Sequence, residues 1–329
     1  MSNLSIERNL AMELIRVTEA AAISAARYQG TGDKEGGDGA AVEAMRAFFK
    51  TVEMDGTVII GEGEKDQAPM LFNGEKVGSG HGPKVDIAVD PVEGTRLLAR
   101  GAANSIAVIA AAEAGSMWKP GNSLYMNKLV VEKKARYVID IKQSPSENLK
   151  RIAEVLNRKI EDLTVFVLDK ERHQQLIQEI RSTGARITLS TDGDVLGAIM
   201  AAIPGTGIDV LMGTGGTPEA VIAACAVKAL SGGMQAMLDP QLDYEKEALL
   251  KENVALDKVL GLDDFIKSKD AFFAATGITE GGSFLEGVHF DRNGVETYSL
   301  AIRALTHSVR FIKGIHQLDS HLEFGKRKR

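Results

Sequence analysis

The sequence predicts an α/β protein whose first half is α+β, with a soft boundary near residue 145 between domains over 1–145 and 146–329. Three observations carry that prediction. The chain has 329 residues, enough for about two domains of ordinary size. From about residue 146, β-branched runs alternate with helical patterns at βα spacing. Along the chain, apolar runs stop at an acid or a glycine cluster, which is how strands feeding a ligand site end in open α/β sheets.

Residues 5–28 read as a helix, with Leu10, Met12, Leu14, Ile15 and Val17 on its apolar positions. The small-residue run Ala20 to Ala26 allows that helix to pack closely on a neighbour. The stretch "QGTGDKEGGDGAAV" breaks it and reads as a loop aimed at a second helix, about 39–51, whose free N–H groups favour anions. "TVIIGEGEKDQAPM" is a short strand running into acids. Strand signals recur at Val85 to Val89, Ser105 to Ala111, Lys128 to Val131 and Tyr137 to Ile141.

Helix 146–157, strand "LTVFVLD", helix 171–183, strand "ARITLS", helix 193–201, strand "IDVLMG" and helix 217–230 then follow. They predict a largely parallel sheet covered by helices. An acidic helix near 241–255 precedes two more strands, "AFFAATG" and "VETYSLAIRAL".

Composition narrows the function classes. A hydrophobic share of 44% with 26% charged residues is that of an ordinary soluble protein. The net charge of -6, with a basic run only at Lys326 to Arg329, argues against a nucleic-acid binder. The single Cys225, inside "VIAACAVKAL", excludes an internal disulfide and a thiolate cluster and is expected to pack in the core. The start lacks the basic and unbroken apolar regions of a signal peptide, and no stretch reaches the roughly 18 apolar residues that cross a bilayer. A cytoplasmic protein with no membrane partner is expected. The six histidines show no zinc-ligand spacing, and there is no Gly-x-Ser-x-Gly elbow or Walker loop. Metal-assisted attack by water is the chemistry this inventory supplies best.

The acids therefore carry the argument. In "VDIAVDPVEGT", Pro91 favours an extended Asp90 and Gly94 permits a sharp turn, so Asp90 and Glu93 are able to face one point while Thr95 opens a helix. Two converging carboxylates call for Mg²⁺ or Mn²⁺, although spacing alone equally admits a turn residue and a helix cap. "GEGEKD" adds Glu62, Glu64 and Asp66 on one face of an extended chain; a solvated acidic loop explains these equally well. Asp33, Lys34 and Asp38 occupy the glycine loop before the second helix. "STDGDVLGAI" and "GTGGTPEAVI" read as loops that each open a helix, the first bringing Asp192 and Asp194. The second, with Asp239 downstream, imitates a dinucleotide fingerprint, but Pro218 replaces the third small residue and Glu219 would face the pyrophosphate. Glu219 makes better sense as a metal ligand.

"GEGEKDQAPML", "VDIAVDPVEGT", "DGDV" and "GGTPEAVI", in this order and at these intervals, resemble the bacterial class II fructose-1,6-bisphosphatases, a branch of the lithium-sensitive, metal-dependent sugar and inositol phosphatases. The likeness runs from Arg16 to Thr279. It implies a layered αβαβα sandwich of two sheets with helices between and outside. It also implies hydrolysis of the 1-phosphate of fructose 1,6-bisphosphate, two or three Mn²⁺ or Mg²⁺ ions, and a homodimer or homotetramer. Carried over by motif, the metal ligands fall on Asp38, Glu62, Asp90, Glu93 and Glu219. Substrate contacts fall on Glu93, Gly94 and Thr95, on Tyr125, on Lys170 and Arg172 with Glu171 between them, on Asp192, Gly193 and Asp194, and on Gly216. Thr95 is expected to orient the attacking water, assisted by Asp66 or Lys34.

The family usually has proline where this chain has Glu171, and "APDMYM" where it reads "GNSLYM". An extra acid between the basic pair is expected to weaken the hold on the distal phosphate. Sedoheptulose bisphosphatase and inositol or other sugar phosphatase activity are alternatives within the same chemistry, and an inactive sugar-phosphate sensor is the alternative outside it.

Overall fold

The alanines of the first helix behave as their size allows. α1 (Leu10–Ala26) buries Ala20, Ala21, Ala22, Ala25 and Ala26, so its backbone approaches the strands beneath it closely. The computed structural model describes residues 10–63, 70–292 and 294–317. Asp66 and the basic run Lys326 to Arg329 lie outside those residues. Two units make up the chain, one within Met1–Met117 and Asp270–Arg329, the other Trp118–Lys269.

In the first unit α1 is followed by α2 (Lys34–Phe49), β1 (Asp55–Ile60), β2 (Lys76–Val77), β3 (Lys84–Glu93), α3 (Thr95–Arg100) and β4 (Ile106–Glu113). The second unit comprises β5 (Tyr125–Val131), α4 (Pro145–Leu156), β6 (Thr164–Leu168), α5 (Gln174–Ser182), β7 (Arg186–Ser190) and α6 (Val195–Ala202). It continues through β8 (Val210–Gly216), α7 (Thr217–Ala229), β9 (Gly233–Leu238), α8 (Asp243–Lys251), β10 (Leu260–Gly261) and α9 (Leu262–Phe265). The chain then re-enters the first unit as β11 (Ala271–Gly277), β12 (His289–Phe290), β13 (Val295–Arg303) and β14 (Ser308–His316).

The fold is α/β, with one sheet and its helices in each unit. Among the described residues the first sheet has the order β12-β13-β11-β4-β3-β1-β2, with β14 paired to β13. β11 sits antiparallel between β4 and β13, and this long-range pairing returns the last strands to the first unit. A local sequence pattern carries no trace of such a pairing, which is why the sequence boundary falls near 145 while the second unit spans 118–269.

The second sheet, β10-β9-β5-β8-β6-β7, corrects the expectation of a largely parallel one. β6 is parallel to β7 and β8, but β5 inserts antiparallel between β8 and β9. Tyr137 to Ile141, expected as a strand, forms turns. Its backbone groups are met by side chains instead. Gln235 accepts from Ile141 N–H at 2.8 Å and donates to the Ile139 carbonyl at 3.1 Å, and Asn148 bonds both the N–H and the carbonyl of Asp140 at 2.8 Å.

Each unit has its own apolar core. The first gathers α1, α2, β1, β3 and β4 around Leu14, Met45, Phe49, Ile87 and Ile109. The second gathers α4, α5, β6 and β8 around Leu149, Ile152, Val165, Ile180 and Val210. Cys225 is buried in α7, as its apolar neighbours suggest.

Candidate active site

In the first unit β1 and β3 are parallel neighbours, so their carboxyl ends share one edge of the sheet. Glu62 follows the first of these ends, and Asp90 to Glu93 form the second. There β3 departs from regular pairing with β4: Asp90 lies opposite Val108 and Glu93 opposite Ile106. Pro91 has no N–H to give a ladder, and the extra residue makes a bulge that re-aims the side chains beyond it. Asp90 Oδ1 accepts the Val92 N–H at 3.0 Å, which fixes its carboxylate at the bend. Gly94, at φ 84°, takes the left-handed conformation that turns the chain into α3, whose first residue is Thr95. Glu93 is 1% exposed.

The second helix begins earlier than its sequence suggests. Asp33 caps it by accepting the Gly36 N–H at 2.9 Å, so Lys34 and Asp38 lie in the opening turns of α2 rather than in a loop. The preceding segment is tied to α3, since Gly30 and Gly32 donate to the carbonyls of Leu98 and Ala99, each at 2.9 Å. Thus Glu62, Asp90, Glu93 and Thr95 follow or end the parallel strands β1 and β3, and the segment leading into α2, with Lys34 and Asp38, is tied to α3. Burial pushes the Asp38 carboxyl above its usual range, and Lys34 only partly opposes that. Among the described residues no three Asp, Glu, His or Cys side chains close into a group able to hold a metal.

In the second unit the residues expected to bind sugar phosphate form a connected set. Arg172 stacks over the Tyr125 ring at 5.2 Å and donates through Nε and Nη2 to the Thr214 carbonyl at 3.1 and 2.8 Å. Lys170 donates to the Thr191 carbonyl at 2.6 Å and lies 3.9 Å from Asp192. Exposed Glu171 follows Lys170 and opens the 3₁₀ turn Glu171–His173, which contains Arg172 and buries His173. Gly193, at φ 74°, turns the chain into Asp194 at the head of α6. Gly216 ends β8, and Glu219 stands in the first turn of α7.

"GTGG" is strand, not loop. Gly213 to Gly216 pair with Lys128 to Tyr125 in β5, so this stretch continues the strand, while the Thr214 N–H turns away from β5 to His173. Their lack of side chains serves close packing: a Cβ on Gly215 would stand 1.9 Å from Asp194 Oδ2, and one on Gly216 would stand 1.8 Å from Glu219 Oε2.

Four residues, Lys128, His173, Thr214 and Asp239, join this set without having been singled out for it in sequence. Lys128, 1% exposed in β5, pairs with Asp194 Oδ2 at 2.5 Å. His173 bonds Thr214 N–H, and the Thr214 hydroxyl donates to Asp239 at 2.5 Å. The lysine had a legible signal, a lone charge among the apolar residues of "YMNKLVV". Burial pushes the Glu219 carboxyl up, opposed by Lys128, and its Oε2 is shielded with no hydrogen bond among the described residues.

Asp38, Glu62, Asp90 and Glu93 in the first unit, and Glu219 in the second, each offer carboxylate oxygens, the ligand atoms that suit hard divalent cations. Burial raises the pKa of Asp38 in the first unit and of Glu219 in the second, a cost to each charged form that a bound cation would offset.

Residues 8–316 match the family described as bacterial fructose-1,6-bisphosphatase, glpX-encoded. Three similar proteins come from Prochlorococcus marinus strains NATL1A, MIT 9301 and MIT 9215, and each is named D-fructose 1,6-bisphosphatase class 2/sedoheptulose 1,7-bisphosphatase. Each is 43% identical over 328 residues, covering 95% of this chain and 98% of the relative. The chain belongs to the glpX-encoded bacterial fructose-1,6-bisphosphatase family.

Proposed function

We propose that this chain hydrolyses the 1-phosphate of D-fructose 1,6-bisphosphate, giving fructose 6-phosphate and inorganic phosphate, the one-way step of gluconeogenesis. One observation carries the substrate assignment: Tyr125, Lys170, Arg172, Asp192 and Asp194, from separate stretches of the sequence, are linked by stacking, ion pairs and bonds to shared strands in one unit.

Asp38, Glu62, Asp90 and Glu93 would hold Mg²⁺ or Mn²⁺ in the first unit and Glu219 would serve as a ligand in the second. Two or three bound ions supply neutralisation of phosphoryl charge and a lower pKa for water. Thr95 holds the attacking water through its hydroxyl. Asp66 or Lys34 assists it. Lys170 holds the 6-phosphate as a point charge and Arg172 as a planar fork, already aligned by Tyr125. Asp192, Gly193, Asp194 and Gly216 hold the sugar. The enzyme works as a homo-oligomer in the cytoplasm.

Phosphate release from fructose 1,6-bisphosphate in parallel with Mn²⁺, Mg²⁺ and chelator tests this reading. Release with either metal and none with chelator is expected; no release with any metal overturns it and leaves the sugar-phosphate sensor. Sedoheptulose 1,7-bisphosphate belongs in the same assay, because all three relatives carry that activity in their names. An inositol monophosphate arm separates the wider phosphatase class.

A further inference from the structure

We propose that Lys128 is a positioning residue that sets sugar affinity, by clamping the Asp194 carboxylate to the end of β8 at Gly216. The inference rests on the proposed sugar-phosphate role of Asp194 and Gly216. Lys128 Nζ lies 2.5 Å from Asp194 Oδ2 and donates to the Gly216 carbonyl at 3.1 Å. The α-carbon of Lys128 is level with Gly213, three residues short of Gly216, so the side chain runs along β8 toward its end. It passes Gly215, where a Cβ would stand 2.8 Å from Nζ and 1.9 Å from the Asp194 oxygen. Only a glycine floor admits the pair.

Asp194 itself is placed unusually. It occupies the N-cap position of α6, where an aspartate ordinarily accepts an N–H of its own helix, yet its side chain makes no such bond. It turns instead to Lys128. Its other oxygen, Oδ1, is buried and makes no hydrogen bond among the described residues, although Asp194 is only 5% exposed. A buried acceptor left without a donor is costly unless a ligand supplies one, and a sugar hydroxyl is a donor of the right kind. Lys128 therefore fixes one carboxylate oxygen so that the other is presented in a constant direction. A buried lysine needs the anion in return.

The test compares the full-length wild type, Lys128→Met, Asp194→Asn and the double variant, with Mn²⁺ present. KM and kcat for fructose 1,6-bisphosphate are measured, with fructose 6-phosphate binding by calorimetry as a readout free of turnover. Lys128→Met is expected to raise KM and weaken product binding by about tenfold, with kcat within about threefold of wild type. Because Lys128 acts through Asp194, the double variant is expected to bind no more weakly than Asp194→Asn alone. This comparison stands even if Lys128→Met does not fold, since the double variant leaves no lone buried charge. A wild-type KM in Lys128→Met, or a further loss in the double variant, overturns the inference. A wild type that neither hydrolyses the bisphosphate nor binds fructose 6-phosphate overturns the underlying reading as well.

Discussion

His173 Nε2 accepts the Thr214 N–H at 2.8 Å while its Nδ1 lies 2.7 Å from the Leu168 carbonyl. Only a neutral ring with its proton on Nδ1 satisfies both bonds, because a second proton would set Nε2–H against the Thr214 N–H. The ring is 3% exposed and bolts the Lys170 to Arg172 turn onto β8, the strand whose Thr214 carbonyl Arg172 also uses. Burial pushes its pKa below 6.5; the Leu168 carbonyl opposes this, and Arg172 adds to the depression.

Acid should therefore loosen this turn. With the folded pKa below the unfolded one, the unfolded chain takes up the proton first, so stability is whole above about pH 6.5 and falls as pH drops below it. His173→Phe removes the titration but strands the buried Thr214 N–H, at about 1–3 kcal/mol, while the Leu168 carbonyl keeps the Lys170 N–H. Urea unfolding between about pH 8 and pH 5 is expected to show a steeper acid loss in wild type than in His173→Phe. Parallel pH profiles would remove His173 from the account.

Glycines 215 and 216 should differ in what an added methyl costs. At Gly215 the Cβ meets Asp194 and Lys128, both buried and mutually held, so Gly215→Ala is expected to cost about 1–3 kcal/mol and to weaken sugar-phosphate binding. At Gly216 the obstacle is the end of the Glu219 side chain, so Gly216→Ala is expected to be milder in stability and to act mainly through Mn²⁺ affinity. Thermal unfolding with and without Mn²⁺ separates the two. Equal losses in both measures would contradict the contrast.

How much of this was legible in sequence depends on the range of the contacts. α1, α4, α6 and α7 follow from local periodicity, and the turn at Gly94 follows from its own residue types. The mixed direction of the second sheet does not, because nothing within Tyr125–Val131 says that its partners are β8 and β9. "GTGG" reads as a loop by composition and becomes a strand only because β5 pairs with it. Asp194 was legible as an acid at a helix start; that it declines the cap in favour of Lys128 depends on a residue 66 positions earlier. Asp38 sits in a helix, since Asp33 caps earlier than the glycine-rich composition suggests.

The basic pair should separate binding of two phosphates from binding of one. Lys170 is already committed to the Thr191 carbonyl and lies near Asp192, so it stands ready at a fixed place. Lys170→Ala is expected to raise KM for fructose 1,6-bisphosphate by at least about tenfold while a sugar 1-phosphate is hardly affected. Glu171→Pro, which removes the neighbouring acid, is expected to lower KM for the bisphosphate. Steady-state kinetics on both substrates decide, and equal effects of Lys170→Ala on the two would refute the distal-phosphate role.

Asp38 should trade stability for metal affinity. Burial raises its pKa, so the ionised carboxylate is held at a cost in the metal-free chain despite Lys34. Asp38→Asn is expected to raise the melting temperature without metal and to abolish most of the rise that Mn²⁺ gives wild type. A variant that keeps the full Mn²⁺ response would show that Asp38 is not a ligand.

Thr95 carries the proposed positioning of the attacking water. It follows Gly94, whose left-handed backbone ends β3 and makes Thr95 the first residue of α3, directly after the strand that carries Asp90 and Glu93. A glycine at that N-cap leaves Thr95 with no capping duty, so its loss should cost the fold little. Thr95→Ala is expected to lower kcat by about 10²-fold or more, with KM and Mn²⁺ affinity near wild type, the pattern of a group that acts only in the transition state. Thr95→Ser retains a hydroxyl and should recover most of the rate. If Thr95→Ala instead turns over at the wild-type rate, the hydroxyl does not hold the nucleophile, and another side chain at the β3 edge must do so.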